Sequence, residues 1–453
     1  QKRFRMSVAL IILGAGKGTR MNSDLPKVLH PIAGAPMLIH AMRAGATLDP
    51  AHTVIVAGHG ADVVTKAAQA YDPEAKVVLQ PEQLGTGHAV SQAADALAGF
   101  EGKVIVLYGD TPFVKPETLQ AMLDAKADVV VLGFEPQDAG RYGRLLTNGS
   151  SLERIVEFKD ASPEEREINL CNSGVICCNG PMLFDLLSQV KNDNASGEYY
   201  LTDVIGLARN AGHSATVVTC SEGETLGVNS RAELASADAM YQAAARLTLM
   251  EDGVTLVAPN TVYLSLDTII GRDTIIEPNV VFGPDVTVES GTTIRAFSHL
   301  EGCHVSRGSV VGPYARLRPG AELSENVRIG NFVEVKNTTI AEGAKVNHLS
   351  YIGDASIGER SNIGAGTITC NYDGVLKHRT EIGADVFIGS NTMLVAPVTV
   401  GNRAMTGSGS VITSDVESEA LAIGRARQVS KPGMAQKLFD MLQVKKAKMK
   451  GGN

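Results

Sequence analysis

Apolar residues recur every six positions through the second half of this 453-residue chain: Leu264, Ile270, Ile276, Phe282, Val288, Ile294 and Leu300. The register slips and resumes at Val305, Val311, Leu317, Leu323, Ile329 and Val335. After further slips it runs through Ile382, Ile388, Leu394 and Val400, and Ile412 falls back on it after Thr406. Gly often follows, as in Ile329-Gly330 and Ile388-Gly389. A six-residue period fits neither a helix nor a strict two-residue alternation. It fits a coil of three short strands per turn, each face giving one inward aliphatic, with small residues at the corners. A β-sandwich would alternate without a fixed six-residue repeat. The expectation is a hexapeptide β-helix. Such a prism has little interior, so its sites must form on protruding loops or between neighbouring chains.

The period breaks at residues 369–378, TCNYDGVLKH, which should stick out. Just before lies Asn347-His348-Leu349. Of the ten histidines, His348 is the one beside a polar cluster: Lys336, Tyr351, Asn362 and Asn371. By itself it reads either as a structural histidine or as a base, because a neutral imidazole takes up a proton near physiological pH.

The first half has a different grammar. Val8 to Ile12 is a buried-strand run, followed by Leu13-Gly14-Ala15-Gly16-Lys17-Gly18-Thr19-Arg20. Glycines allow a sharp turn and close approach of a ligand. Successive N–H groups make an anion nest, to which Lys17 and Arg20 add charge. A plain strand–helix turn reads the same way. It is not a P-loop, since Gly18 follows Lys17, nor a dinucleotide fingerprint, since Thr19 stands where Gly is needed. Lys27, after Pro26, is either a second cation for this loop or a surface lysine. Further strand runs at Thr53–Ala57, Val77–Leu79 and Lys103–Leu107 alternate with helical patterns. This predicts a mainly parallel sheet with helices on both faces. In such sheets ligands bind beyond the carboxyl ends of strands. The glycine loop, the Gln80–Gly87 loop and Asp110 all fall there. Asp110 reads as a Mg²⁺ ligand or as a helix N-cap.

The net charge of −8 gives no basic footprint for nucleic acid, and no apolar run reaches the length of a membrane span. The basic Gln1–Arg5 stretch passes through Met6, read as a natural start, directly into the first strand, with no signal-peptide pattern. Six scattered cysteines without zinc spacing predict free thiols in a reducing cytoplasm. Arg231 to Met250, rich in alanine, predicts one long helix linking two domains. The lysine-rich end, from Lys445 to Gly452, is expected to be loose and solvated.

Leu13 to Arg20 with Lys27, Gln83-Leu84-Gly85-Thr86-Gly87, Tyr108-Gly109-Asp110, Tyr142-Gly143-Arg144 and Gly227-Val228-Asn229 resemble the signature of sugar-1-phosphate nucleotidyltransferases. Together with Arg316-Leu317-Arg318-Pro319-Gly320, Asn347-His348-Leu349 and Asn371-Tyr372-Asp373-Gly374, they resemble one bacterial family in particular. Its members join an N-acetylglucosamine-1-phosphate uridyltransferase to a glucosamine-1-phosphate acetyltransferase. The resemblance implies an α/β Rossmann-like nucleotidyltransferase domain (6–230), a linker helix (231–252), a left-handed parallel β-helix acetyltransferase domain (253–437) and a tail (438–453). It implies Mg²⁺ held by Asp110 and Asn229. Leu13, Gly14, Ala15, Gly16, Gly18, Arg20 and Lys27 would meet the UTP phosphates. Gln80, Gln83 and Thr86, beside Gly85, would read uracil. Tyr108, Gly109, Gly143, Glu157, Asn172 and Asn229 would line the amino-sugar site.

For acetyl transfer the resemblance implies His348 as base, Arg318 and Lys336 on the sugar phosphate, and Tyr351 and Asn362 on the sugar. Lys377 would come from an adjacent subunit. Ala365, Asn371, Tyr372, Ser390, Ser408 and Arg425 would contact acetyl-CoA. The family usually has Ala at the positions of Gly14 and Ser408. It also implies a cytoplasmic homotrimer that makes UDP-N-acetylglucosamine for peptidoglycan and lipopolysaccharide, with no nucleic-acid or membrane partner. Two rivals stand beside it: a nucleotidyltransferase for another sugar or nucleotide, and one whose β-helix is only a trimerisation scaffold.

Overall fold

The computed structural model describes residues 7–450, so the readings attached to the basic N-terminus, Met6 and Gly451-Gly452 lie outside the described residues. The chain forms two compact units, Gln1–Leu249 with Tyr263–Thr268, and Met250–Val262 with Ile269–Asn453.

Among the described residues, the main sheet of the first unit has nine strands: β1 (Val8–Gly14), β2 (His52–Ala57), β3 (Lys76–Leu79), β4 (Lys103–Tyr108), β5 (Val129–Phe134), β6 (Arg144–Asn148), β7 (Ser151–Val156), β8 (Cys171–Asn179) and β9 (Ala215–Cys220). Their order is β9-β5-β8-β4-β1-β2-β3, with the β6–β7 hairpin joined to β8. Along that seven-strand order neighbours are parallel except β8, which runs antiparallel to both β4 and β5; the β6–β7 hairpin is antiparallel too. Successive residues of β1 serve opposite cores. Ala9, Ile11 and Leu13 pack with Val54, Val56, Val104 and Val106 under the helices Thr86–Ser91, Gly180–Gln189 and Asp203–Asn210. Val8, Leu10 and Ile12 pack with Ile55, Ile105 and Leu107 under Met37–Ala46, Ala61–Tyr71 and Pro116–Asp124. Burial on both faces is why these strands read as unbroken apolar runs.

The reversal of β8 matters for function. A reversed strand presents its beginning where its parallel neighbours present their ends. Cys171 pairs with Arg144, and Arg144 with Val156. The topology therefore carries Asn172, Gly143 and Glu157 to the same edge as Gly14, Leu79 and Tyr108.

The predicted long helix is Arg231–Glu251. Within the first unit its Ala237 packs with Ile32, Ala33, Met37 and Val228. The Gln242 side chain also pairs with the Leu264 backbone in both directions, at 2.8 and 2.9 Å. Leu264, the first residue of the six-residue pattern, therefore belongs to the first unit.

The second unit is a left-handed parallel β-helix. Every aliphatic of the six-residue pattern named above is buried, from Ile270 at 8 % exposure to Ile412 at 5 %. All strand pairs are parallel, and register steps run from Thr293 to Val310 to Arg328 to Lys345 to Asn362. The next partner of Asn362 is Phe387, so the extra chain is extruded between them. Corners carry left-handed residues and buried Ser and Thr whose hydroxyls donate to carbonyls, as Ser361 does to Gly383 at 2.7 Å. The end of the chain departs from expectation. Residues expected to be loose form the helix Met434–Lys450, exposed along its described length. Its Ala, Leu, Met, Gln and Lys residues are strong helix formers, and no Gly or Pro interrupts them.

Candidate functional site

In the first unit, a cavity of ≈ 280 Å³ opens at the carboxyl ends of the central strands. Leu13, Gly14, Ala15, Gly16, Lys27, Gln80, Gln83, Gly85, Thr86, Tyr108 and Asp110, all singled out in the sequence, line it. A larger cavity, ≈ 780 Å³, lies at the opposite edge among Ser7, His52, Phe100, Asp128 and His213, and none of the expected site residues lines it.

The glycine loop is fixed by close approach. Gly18 has φ 59°, and a Cβ there would meet Lys27 Cβ at 2.8 Å. Gln83 Nε2 donates to Ala15 O at 2.7 Å, pinning the second loop to the first. Gly85 has φ 114°, and a Cβ would lie 2.6 Å from Tyr199 O. Gln80, 4 % exposed, donates to Gly85 O at 3.2 Å. Gly14 differs: a Cβ there would make only ordinary contacts, at 3.5 Å or beyond, so an Ala would fit.

The Lys27 ammonium touches the Asp110 carboxylate and donates to Asn229 Oδ1 at 3.0 Å. Val228 N donates to Asp110 O at 3.0 Å, which brings Asn229 to Asp110 from far along the chain. A carboxylate and an amide oxygen thus converge on one cation. That donor set suits Mg²⁺, which takes one or two protein oxygens and completes its shell with phosphate and water.

Beside this, Asn172 N donates to Gly143 O at 2.9 Å, and a Cβ on Gly143 would stand 3.4 Å from the Glu157 carboxylate. Thr202 donates to Glu157 at 3.3 Å. Burial pushes the Glu157 carboxyl above its ordinary value, with the Thr202 bond pulling the other way. Arg20 does not line the cavity; it sits exposed in the turn Thr19–Met21. The turn that follows Gly18 directs it outward. Glu198, which lines the cavity, was missed as a site residue. Its only signal is position, since Tyr199 N pairs with Leu84 O at 2.8 Å.

In the second unit the expected residues fall into two groups. His348 is exposed, and its Nδ1 lies 3.0 Å from Asn331 Oδ1, one coil below. With that oxygen accepting, Nδ1 carries the proton and Nε2 the lone pair. Backbone bonds of Gly366 to His348, Asn391 to Ala365 and Gly409 to Ser390 stack His348, Ala365, Ser390 and Ser408 on one corner, a coil apart each. The Arg425 guanidinium reaches Ser408 O.

The second group lies along the next face. The register of Leu317 with Val335 and of Lys336 with Gly353 places Arg318 and Lys336 on adjacent coils. Arg318 pairs with Glu334 at 2.8 Å, and Lys336 Nζ lies 3.7 Å from Asp354. Two cations thus stand on adjacent coils, each facing a carboxylate. Tyr351 OH accepts from Asn371 Nδ2 at 3.4 Å. Asn371 was expected on the protruding loop but is 6 % exposed. Its amide is consumed by Tyr351 and Asp354, so the protrusion begins at Tyr372 and peaks at Val375, 83 % exposed. Lys377 Nζ sits 5.3 Å from the Tyr372 ring centroid. Asn362 lies off the face of the second group, on the strand next to Lys345–His348, in register with Lys345 and Phe387. Asn331 and Asp354 were missed.

Known proteins match both halves. The MobA-like NTP transferase domain matches residues 10–166, the GMPPB C-terminal domain residues 300–396, and the bacterial transferase hexapeptide residues 267–302 and 379–414. The bifunctional protein GlmU of Ruegeria sp. (strain TM1040) is 69% identical over 449 residues, covering 98% of this chain and 100% of that protein. That of Ruegeria pomeroyi (strain ATCC 700808 / DSM 15171 / DSS-3) is 70% identical over 444 residues, 98% of this chain and 99% of its own. That of Paracoccus denitrificans (strain Pd 1222) is 63% identical over 439 residues, 97% and 98%. With such identity along nearly the whole of both proteins, the chain belongs to the bifunctional GlmU family.

Proposed function

We propose that the chain makes UDP-N-acetylglucosamine in two steps at two sites: acetyl transfer from acetyl-CoA to glucosamine-1-phosphate, then uridylyl transfer from UTP to N-acetylglucosamine-1-phosphate. The observation that carries the reading is the convergence of Lys27, Asp110 and Asn229 at the mouth of the glycine-loop cavity.

In uridylyl transfer the sugar phosphate oxygen attacks the α-phosphorus of UTP in line and pyrophosphate leaves. The N–H groups of the Gly14–Gly18 stretch and the Lys27 ammonium stabilise the charge on the phosphates. Gln80, Gln83 and Thr86 face the base. Gly143, Glu157 and Asn172 receive the amino sugar. Asp110 and Asn229 would hold Mg²⁺, which, when bound, offsets phosphate charge and orients the phosphates. Arg20, on its exposed turn, would reach the outer phosphates.

In acetyl transfer His348 Nε2 takes a proton from the sugar amine as the nitrogen attacks the thioester carbonyl. The imidazolium then returns a proton to the departing coenzyme thiolate. Arg318 and Lys336 hold the sugar phosphate, with Tyr351 and Asn362 on the sugar. The corner stack of Ala365, Ser390 and Ser408, ending at Arg425, carries the coenzyme, with Asn371 and Tyr372 beside it. A homotrimer with Lys377 reaching across is the assembly this reading needs. Its substrates and its six free thiols suit the cytoplasm; among the described residues no helix is long and apolar enough to cross a membrane.

The test is a mass-spectrometric product assay with glucosamine-1-phosphate, acetyl-CoA, UTP and Mg²⁺, omitting each in turn. UDP-N-acetylglucosamine should form only with all four, and N-acetylglucosamine-1-phosphate should accumulate without UTP. If supplied N-acetylglucosamine-1-phosphate is uridylylated but no acetylated sugar ever forms, the β-helix is a scaffold. A monomer retaining full acetyl transfer at high dilution would sink the shared site.

A further inference from the structure

The protruding loop leaves the β-helix at one corner, and that corner is held by a buried carboxylate. Asp354 is 7 % exposed and has φ 50°, a left-handed conformation uncommon for a non-glycine residue. Asp354 Oδ1 accepts from Asn337 Nδ2 at 2.7 Å, one coil below. Asp354 Oδ2 accepts from Asn371 Nδ2, one coil above, where the loop begins. The same oxygen faces Lys336 Nζ at 3.7 Å. The other root of the loop is tied to the same strand, since Arg379 donates to Ala355 O at 3.2 Å. No room is left for drift: a Cβ on the adjacent Gly353 would meet Tyr351 OH at 2.4 Å and Asn371 Nδ2 at 2.9 Å. Burial disfavours the charge, but the Asn337 and Asn371 bonds and the Lys336 and Lys377 cations outweigh it and keep the carboxyl below its ordinary value.

We propose that Asp354 is a positioning residue for acetyl transfer, its carboxylate locking Asn371 at the root of the loop and the Lys336 ammonium into one frame. The proposal rests on the reading of the β-helix as an acetyltransferase. Asp354 touches neither substrate. It sets the spacing between the cation that meets the sugar phosphate and the loop that meets the coenzyme. An error of about an ångström in such placement can change a rate about a hundredfold.

The hydrogen-bond pattern provides its own test. In Asp354→Asn, the new amide can offer one acceptor but must turn an NH₂ toward one of two NH₂ groups, leaving a buried donor unpaired. In the pair Asp354→Asn with Asn371→Asp, that clash disappears: the new Asn accepts from Asn337 and donates to the new Asp. Steady-state acetylation of glucosamine-1-phosphate by the full-length protein should fall about 10–100-fold in kcat/KM for Asp354→Asn. KM should rise for both acetyl-CoA and the sugar phosphate. The swapped pair should recover most of the loss, whereas independent effects would multiply. Uridylyl transfer and the elution volume should stay as in the wild type. Unchanged acetylation in Asp354→Asn, or multiplied losses in the swapped pair, would overturn the proposal. Should Asp354→Asn fail to fold, the swap decides: activity above that of Asn371→Asp alone supports the lock, and equal or lower activity overturns it. His348→Ala, measured alongside, separates the two levels. If it still acetylates, the reading of the whole site fails; if it is dead while Asp354→Asn is normal, only the lock fails.

Discussion

The Lys27 ammonium rests on the Asp110 carboxylate across 83 residues of sequence, with Asn229 completing the contact. Glycine-loop chemistry and metal-type ligands therefore meet at one point. Asp110→Ala leaves an ammonium without its anion and removes the carboxylate oxygen available to Mg²⁺. Uridylyl transfer should fall by about 10²–10³, the scale of losing one preorganised electrostatic partner. Acetyl transfer should stay within about twofold of wild type, the spread of a distant, independent site. Parallel assays of the two half-reactions check this, and equal loss of both would make Asp110 structural.

His348 and Asn331 predict a graded pair. His348→Ala should lower acetyl transfer by about 10²–10⁴, the usual contribution of a general base. Asn331→Leu removes the acceptor that keeps the proton on Nδ1, so part of the population holds the lone pair on the wrong nitrogen. The expected result is a smaller drop, in kcat rather than in either KM, with uridylyl transfer unaffected. Kinetics of both half-reactions would show it; a normal kcat in Asn331→Leu would remove Asn331 from the mechanism.

Two glycines of the proposed nucleotide site should behave oppositely. Gly85→Ala must either abandon φ 114° or drive a Cβ into Tyr199 O. A loss of about 1–3 kcal/mol of stability and a raised KM for UTP are expected. Gly14→Ala meets only ordinary van der Waals contacts, at 3.5 Å or beyond, on a compatible backbone, and should be neutral or stabilising by up to about 1 kcal/mol. Denaturant unfolding and UTP kinetics on the two variants test the contrast.

Glu157 predicts a pH dependence. Burial raises its carboxyl above the ordinary 4.5, so the native state holds this proton to higher pH than the unfolded chain does. Within that interval the native state binds more protons, and stability declines as pH rises through it. Glu157→Gln removes the effect. The variant should melt higher than wild type at pH 7 and together with it well below pH 4.5, where both states are protonated. Thermal unfolding at the two pH values decides. A variant that melts lower at pH 7 would mean that the Thr202 bond, not burial, dominates at this carboxylate.

What the sequence made legible followed from repetition and from burial. The six-residue period announced the prism because each inward aliphatic must recur at the same place in the coil. The runs at Val8–Ile12 and Lys103–Leu107 announced a doubly covered sheet. The reversed β8 was not legible, because a strand buried on both faces looks the same in either direction. Nor were Asn331 and Asp354. Their partners lie 17 residues away, one coil of the helix, and the apolar six-residue period carries no mark of polar residues that stack at corners. The terminal helix was misjudged because its lysines suggested solvent, whereas its backbone propensity still favoured helix.

The corner stack from His348 through Ala365 and Ser390 to Ser408 turns the coil into a ruler. Adjacent strands lie about 4.8 Å apart, so three steps span roughly 14 Å. On the proposed reading, the reactive end of the acyl carrier sits at the first mark and Arg425 reads the far end. A carrier one rung too short would miss its anchor even with an intact thioester. The length of the cofactor is thereby measured by counting coils, and a deletion of one whole coil between Ser390 and Ser408 would recalibrate the scale without touching the base.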